Sequence, residues 1–278
     1  MRLTRFPATR SHLAFLFFGF PEGPPKNCRI EFIIAMPVRI RNLSDLVNNT
    51  RPCKELHFRA QYRLEQVLKI LAVSDVVVDR LYSANFAENF GGVEIILGCG
   101  DLPYEYLEFL ISSLNVPLLY VPGNHDPQYD ERNPTAQALG CDLLDQRVRQ
   151  VKGLNLAGLG GSIKYKPASP NQFTQTEMYL RMISFLPRLL RQRIQTGAGL
   201  DIMIAHSPPR GIHDDHDPAH VGFSAYQDFI RVFKPRYFLH GHTHVYKNNL
   251  LPAVTQMGPT TIINVYPYRL LEVEPYVR

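Results

Sequence analysis

The amino-acid sequence predicts an α/β fold, and three observations carry that expectation. Short apolar runs of strand composition alternate with stretches of helical periodicity. Five of these runs, taken in order, end in Asp, Asn or His side chains. Of the 278 residues, 45% are hydrophobic, ample for a sizeable core.

The expected strands are Lys69–Ser74, Val93–Cys99, Pro117–Val121, Leu154–Leu159, Leu200–Ala205 and Arg236–Leu239. Each is a short apolar run bounded by Gly, Pro, Asn, Asp or His. Helical spacing of apolar residues predicts Tyr104–Leu114, Thr174–Thr196 and Phe223–Phe233, the second with a disturbance expected at Pro187. A strand-rich tail is expected over Val245 to Val277. These elements place a catalytic domain at residues 67–278, preceded by a basic extension, 1–66, with one helix near residues 54–68.

Charge divides the chain in the same way. Residues 1–70 hold twelve Lys/Arg and five Asp/Glu, a balance of +7. The whole chain carries +5, so residues 71–278 carry +5 − 7 = −2. The basic character therefore lies outside the motif-bearing region, which argues against a nucleic-acid partner. Four scattered cysteines, Cys28, Cys53, Cys99 and Cys141, form no CxxC pair and read as reduced thiols, hence a cytoplasmic location. The apolar stretch Leu13 to Phe20 is far short of the ~20 residues of a membrane span. It is followed by PEGPPK rather than by a small-residue cleavage site, against a secretory leader.

In α/β sheets ligands gather at the carboxyl ends of strands, so the residues that follow each strand are candidates for a site. Ser74-Asp75 follows the first strand and Gly98-Cys99-Gly100-Asp101 the second. Then come Gly123-Asn124-His125-Asp126, His206-Ser207-Pro208-Pro209 and His240-Gly241-His242-Thr243-His244. Carboxylates and imidazoles on one rim suit first-row divalent or trivalent ions, and glycines before Asp101, Asn124 and His242 allow sharp turns. Such a rim fits two-metal phosphoryl chemistry, with ions ~3.5–4 Å apart.

The order D-x-x … GD … GNHD … H … GHxH resembles the calcineurin-like metallophosphoesterase superfamily over roughly residues 69–270. The resemblance implies a four-layer α/β/β/α sandwich of two sheets. It also implies two divalent or mixed-valence ions (Mn, Fe or Zn) and a phosphomonoester or phosphodiester substrate. By the same resemblance, Asp101 bridges the ions. Asn124, His206 and His242 complete one site, while Asp75 and His244 belong to the other. His125 faces the phosphate as a charge stabiliser or proton donor, and Asp126 holds its ring.

One position departs from the pattern. Most of the superfamily reads Asp-x-His at the first strand, but here Val77 occupies the histidine position and offers no donor. Three replacements are open. Tyr104, three residues after Asp101, reproduces the GDxxY motif of purple acid phosphatases and would favour Fe(III). Water is the second, and Asp79 the third, if the chain turns after Val76. His240 is expected to point to the opposite face or to support a ligand. The segment 210–223 reads as a lid or a substrate contact, with Arg210 able to reach a phosphate oxygen. The rival readings are a nuclease of the same superfamily and a protein-binding scaffold that has lost its first metal site.

Overall fold

A computed structural model of the chain describes residues 67–128, 130, 132–133, 136–167, 169–244 and 253–275. The proposed extension 1–66, Cys28, Cys53 and residues 245–252 lie outside the described residues, as does the helix expected near 54–68 apart from its last two positions, where Leu68 begins a strand instead. No helix among the described residues is long and apolar enough to cross a membrane.

Two mixed sheets form the centre. The first contains β1 (Leu68–Val73), β2 (Ile95–Gly98), β3 (Leu118–Tyr120), β4 (Asp142–Leu143) and β13 (Tyr268–Val273), in the order β13-β1-β2-β3-β4. The second contains β5 (Val148–Val151), β6 (Leu154–Leu159), β9 (Ile202–Ala205), β10 (Tyr237–His240), β11 (Val254–Met257) and β12 (Thr260–Asn264), in the order β11-β12-β10-β9-β6-β5. A small parallel pair joins β7 (Ser162–Ile163) to β8 (Gln172–Phe173). The antiparallel pairings fall at the edges, β13 on β1, β11 on β12 and β5 on β6. The strands that lead into the rim run parallel inside them.

The core explains why the central strands read as continuous apolar runs. In β1, Leu68, Ile70 and Ala72 point between the sheets, where they meet Leu156, Ile204 and Leu239. Leu71 and Val73 point the other way, onto α1 (Phe86–Phe90) and α2 (Tyr104–Leu114). On the second sheet Met203 and Phe238 face α3 (Gln175–Thr196) and α4 (Ser224–Phe233). Helices therefore cover both outer faces, which makes the α/β/β/α sandwich. Strands covered on both faces have no polar side to show.

The helix limits follow local chemistry. α2 coincides with the expected span; Pro103 precedes it and Asn115, left-handed at φ 53°, ends it. Thr174 and Glu177 start α3 with a capping box: Glu177 N–H donates to Thr174 Oγ1 at 3.1 Å, and Thr174 N–H to Glu177 Oε2 at 2.7 Å. The expected disturbance at Pro187 does not divide α3, which runs unbroken through 22 residues. Pro187 is exposed, so water can serve the carbonyl that loses its partner. The sequence reading also missed α1, β4, β5, β7 and β8.

Candidate metal centre

Register brings the strand ends level. Val73 pairs with Gly98, and Gly98 with Tyr120. On the other sheet Leu239 pairs with Ile204, and Leu159 with Ala205. Backbone bonds then stitch the rim: Asp75 N–H donates to Gly100 O at 3.1 Å, and Gly241 N–H to His206 O at 3.0 Å. Across the two sheets, His242 N–H donates to both oxygens of Asp75 at 3.1 and 3.0 Å.

The run Val76-Val77-Val78 is a loop rather than a strand continuation. Asp75 enters it at φ 68°, and Asp101 and His242 also take left-handed backbone, at φ 56° and 66°. For residues with a Cβ this conformation costs roughly 1–3 kcal/mol each and gathers at functional sites.

Two glycines are required by close approach. A Cβ on Gly123 would collide with Asp101 Oδ1 and lie 2.6 Å from the Asp101 backbone nitrogen. A Cβ on Gly241 would collide with Ser74 Oγ and Asp75 Oδ2.

Asp101, His206 and His242 each offer a donor atom, and the three lie within 4.8 Å of one another. The hydrogen bonds fix which ring nitrogens are available. The Cys99 carbonyl can only accept, so His206 Nδ1 is the donor at 2.9 Å. Nε2 then faces Asp101 Oδ2 at 3.3 Å and Asn124 Oδ1 at 3.2 Å. His242 Nε2 likewise donates to Ala219 O at 2.7 Å, leaving Nδ1 for a ligand. Acceptor atoms converging on one point, each held by a backbone carbonyl or amide behind it, fit a divalent cation.

The electrostatics agree. Burial alone would lower the pKa of His206, yet the neighbouring Asp101 and Asp75 carboxylates raise it to about 9. Burial also works against Asp101 and Asp75 as anions; His206 keeps Asp101 below the carboxylate range, and His244 with His206 does the same for Asp75. His242 is lowered to about 3 by burial and by His206, so it is neutral, whereas His206 keeps a proton between the carboxylates that a bound cation would displace. The pocket draws positive charge.

Asp75 and His244 form the second half of the rim, with His244 Nε2 at 3.7 Å from Asp75 Oδ1. The His244 ring stacks on Tyr266, centroids 4.3 Å apart, so Tyr266 supports this side. Val77 lines the cavity there, together with Tyr104 and His125. Asp79 is exposed in the following turn and lines neither cavity that opens on the centre. Tyr104 opens α2 beside Asp101, and its hydroxyl donates to Pro127 O at 3.5 Å. Burial, Asp126 and Tyr120 push its phenol upward.

His125 is brought to the centre but stays open, its side chain 70% exposed. Its N–H donates to Asp101 Oδ1 at 2.7 Å, and its Nε2 lies 4.0 Å from Asp101 Oδ2. Asp126 takes a different partner from the expected His125 ring. Its carboxylate accepts from Gly123 N–H at 2.7 Å, Asp101 N–H at 2.8 Å and Leu102 N–H at 3.1 Å. It clamps the Asp101 and Asn124 loops together because three amides converge where the ring does not. Burial raises it to about 6 despite those bonds. Arg210 is exposed and lines neither cavity, its N–H committed to Phe223 O at 3.1 Å.

Other residues were not legible beforehand. Asn124 donates to Tyr165 Oη at 3.3 Å, and Tyr165 lines the cavity of about 300 Å³ over the centre. No pattern in the sequence points to it. The 210–223 segment does reach the centre, through the Ala219 carbonyl and through His220, whose ring lies 4.9 Å from His242 and whose Nδ1 is 2.6 Å from Asp217 Oδ2. The concentration of His and Asp in that segment was the available signal. His240 is buried on the far side, its Nε2 at 2.9 Å from His213 Nδ1.

Fold and donor set define the class, a two-sheet α/β protein with a metal-binding rim of the kind found in metal-dependent phosphoesterases. A family model described as calcineurin-like phosphoesterase matches residues 38–246, and the chain belongs to that family. The match begins within the segment read from sequence as an extension. Membership supports metal-dependent hydrolysis of phosphoric esters in general. An uncharacterized protein of Methanocaldococcus jannaschii, MJ1162, is 25% identical over 214 residues, covering 72% of this chain and 88% of its own. One crystal structure superposes with a TM-score of 0.52 at 14% identity, over 74% of this chain and 95% of its own. Another, that of TT1561 from Thermus thermophilus, gives a TM-score of 0.48 at 14% identity, over 76% and 100%.

Proposed function

We propose that the protein hydrolyses a phosphomonoester or phosphodiester at a dinuclear centre, with Asp101 shared between two ions. The observation that carries this reading is the convergence of Asp101, His206 and His242 within 4.8 Å, with Asn124 Oδ1 joining them. In this reading Asn124, His206 and His242 hold one ion; Asp75 and His244 hold the other. Bound divalent ions would supply positive charge for the phosphoryl oxygens and a more acidic water. His125 lines both cavities and is suited to face the ester as charge stabiliser or proton donor. Asp126 acts one step behind, by fixing the Asp101 backbone.

The lining of the larger cavity, about 770 Å³, favours a small ester over a polynucleotide. Its described wall carries Glu105 and Glu108 and no Lys or Arg. The expected result is hydrolysis of bis-p-nitrophenyl phosphate or p-nitrophenyl phosphate by Mn-, Zn- or Fe-loaded protein, lost with chelator and regained on reloading. No turnover with any of these metals would overturn the reading and favour a scaffold.

Tyr104 is proposed as the replacement for the missing ligand at Val77, on its place beside Asp101 in the cavity wall. A ferric tyrosinate would give iron-loaded protein a visible charge-transfer band that Tyr104→Phe removes. A colourless, iron-free and fully active wild type would assign the position to water instead.

A further inference from the structure

We infer that the outward face of α3 is a docking surface for an anionic phospholipid bilayer. Four large aliphatic side chains stand out from this helix: Leu180, Ile183, Leu190 and Ile194, at 60%, 56%, 52% and 82% exposure. With exposed Pro187 they follow the spacing 3-4-3-4, which keeps them in one file. The file runs from Leu180 to Ile194, about 21 Å over 14 steps of helical rise. The opposite face, Met178, Met182, Phe185 and Leu189, is already spent on the core. None of the exposed file belongs to that core cluster, and an apolar file of this kind marks a contact surface.

Charge lies alongside it. α3 carries Arg181, Arg188, Arg191 and Arg193 against Glu177, a balance of +4 − 1 = +3. Arg181 is engaged by Asp145 at 2.7 and 2.8 Å. Between α3 and β5 runs a groove of about 640 Å³ lined by Arg147, Arg149, Arg188 and Arg191, with no acidic residue in its wall. Guanidinium groups of this number, beside an apolar file, match phosphate head groups above an acyl boundary.

The same features disfavour other occupants. Pairing of α3 with its copy would set two +3 helices side by side. A nucleic acid would use the arginines and leave the aliphatic file in water.

The test is co-sedimentation of the full chain with vesicles of phosphatidylcholine, with and without phosphatidylglycerol. Binding is expected only with phosphatidylglycerol, and it should weaken as salt is raised. Leu190→Ser/Ile194→Ser and Arg188→Glu/Arg191→Glu should each weaken it about tenfold or more. Because all four side chains are exposed, unchanged melting curves will show that both variants fold. No binding, equal binding without phosphatidylglycerol, or binding that survives either double variant overturns the proposal. So does a dimer of the wild type that Leu190→Ser/Ile194→Ser splits, which would make the face a self-association surface.

Discussion

Asp101→Asn is expected to reduce phosphoesterase turnover by at least about 10²–10³-fold, the range seen when one preorganised electrostatic group is removed. The substitution is nearly isosteric. An Asn Oδ1 can still accept the His125 N–H that Asp101 Oδ1 accepts at 2.7 Å, so the loop has no reason to collapse. What is lost is the negative charge nearest His206, 3.3 Å away, and with it one of the three converging donors. Bound metal per chain, measured by elemental analysis, should fall in parallel with turnover. A variant with full metal content and full turnover would remove Asp101 from the centre.

Gly123→Ala is expected to disable the site through packing rather than charge. The added methyl would fall on Asp101 Oδ1 and 2.6 Å from the Asp101 backbone nitrogen, and no rotamer relieves a clash with backbone. The Asp126 clamp makes it worse, since Gly123 N–H and Asp101 N–H share one carboxylate oxygen. Overpacking of this kind costs about 1–3 kcal/mol. At ~2–4 °C per kcal/mol for a domain of this size, the melting temperature should fall by roughly 2–12 °C. Turnover should fall with it, because Asp101 must move. Unchanged melting and kinetics would mean the two loops are not in contact.

The rim was legible because its chemistry is written in runs. Apolar residues that end in GD, GNHD or GHTH announce both a strand and what lies at its carboxyl end, and α2 was bounded by Pro103 and Asn115. Two-residue strands such as β4, β7 and β8 carry no periodicity to detect, since pairing with neighbours defines them. Asp126 shows a different limit. Sequence placed it beside His125, but the direction of its carboxylate depends on where the Asp101 loop arrives from 25 residues earlier. Ala219 was unreadable for a related reason: its contribution is a backbone carbonyl, which every residue possesses.

The left-handed backbone at Asp75, Asp101 and His242 makes the rim a trap for stability-guided engineering. At each of these positions glycine would ease the chain, because it alone visits this region without steric penalty. A screen that scores only thermostability of metal-free protein will therefore drift toward replacing residues of the proposed centre. Screens for hardier variants should hold these three positions fixed, or score metal retention alongside melting.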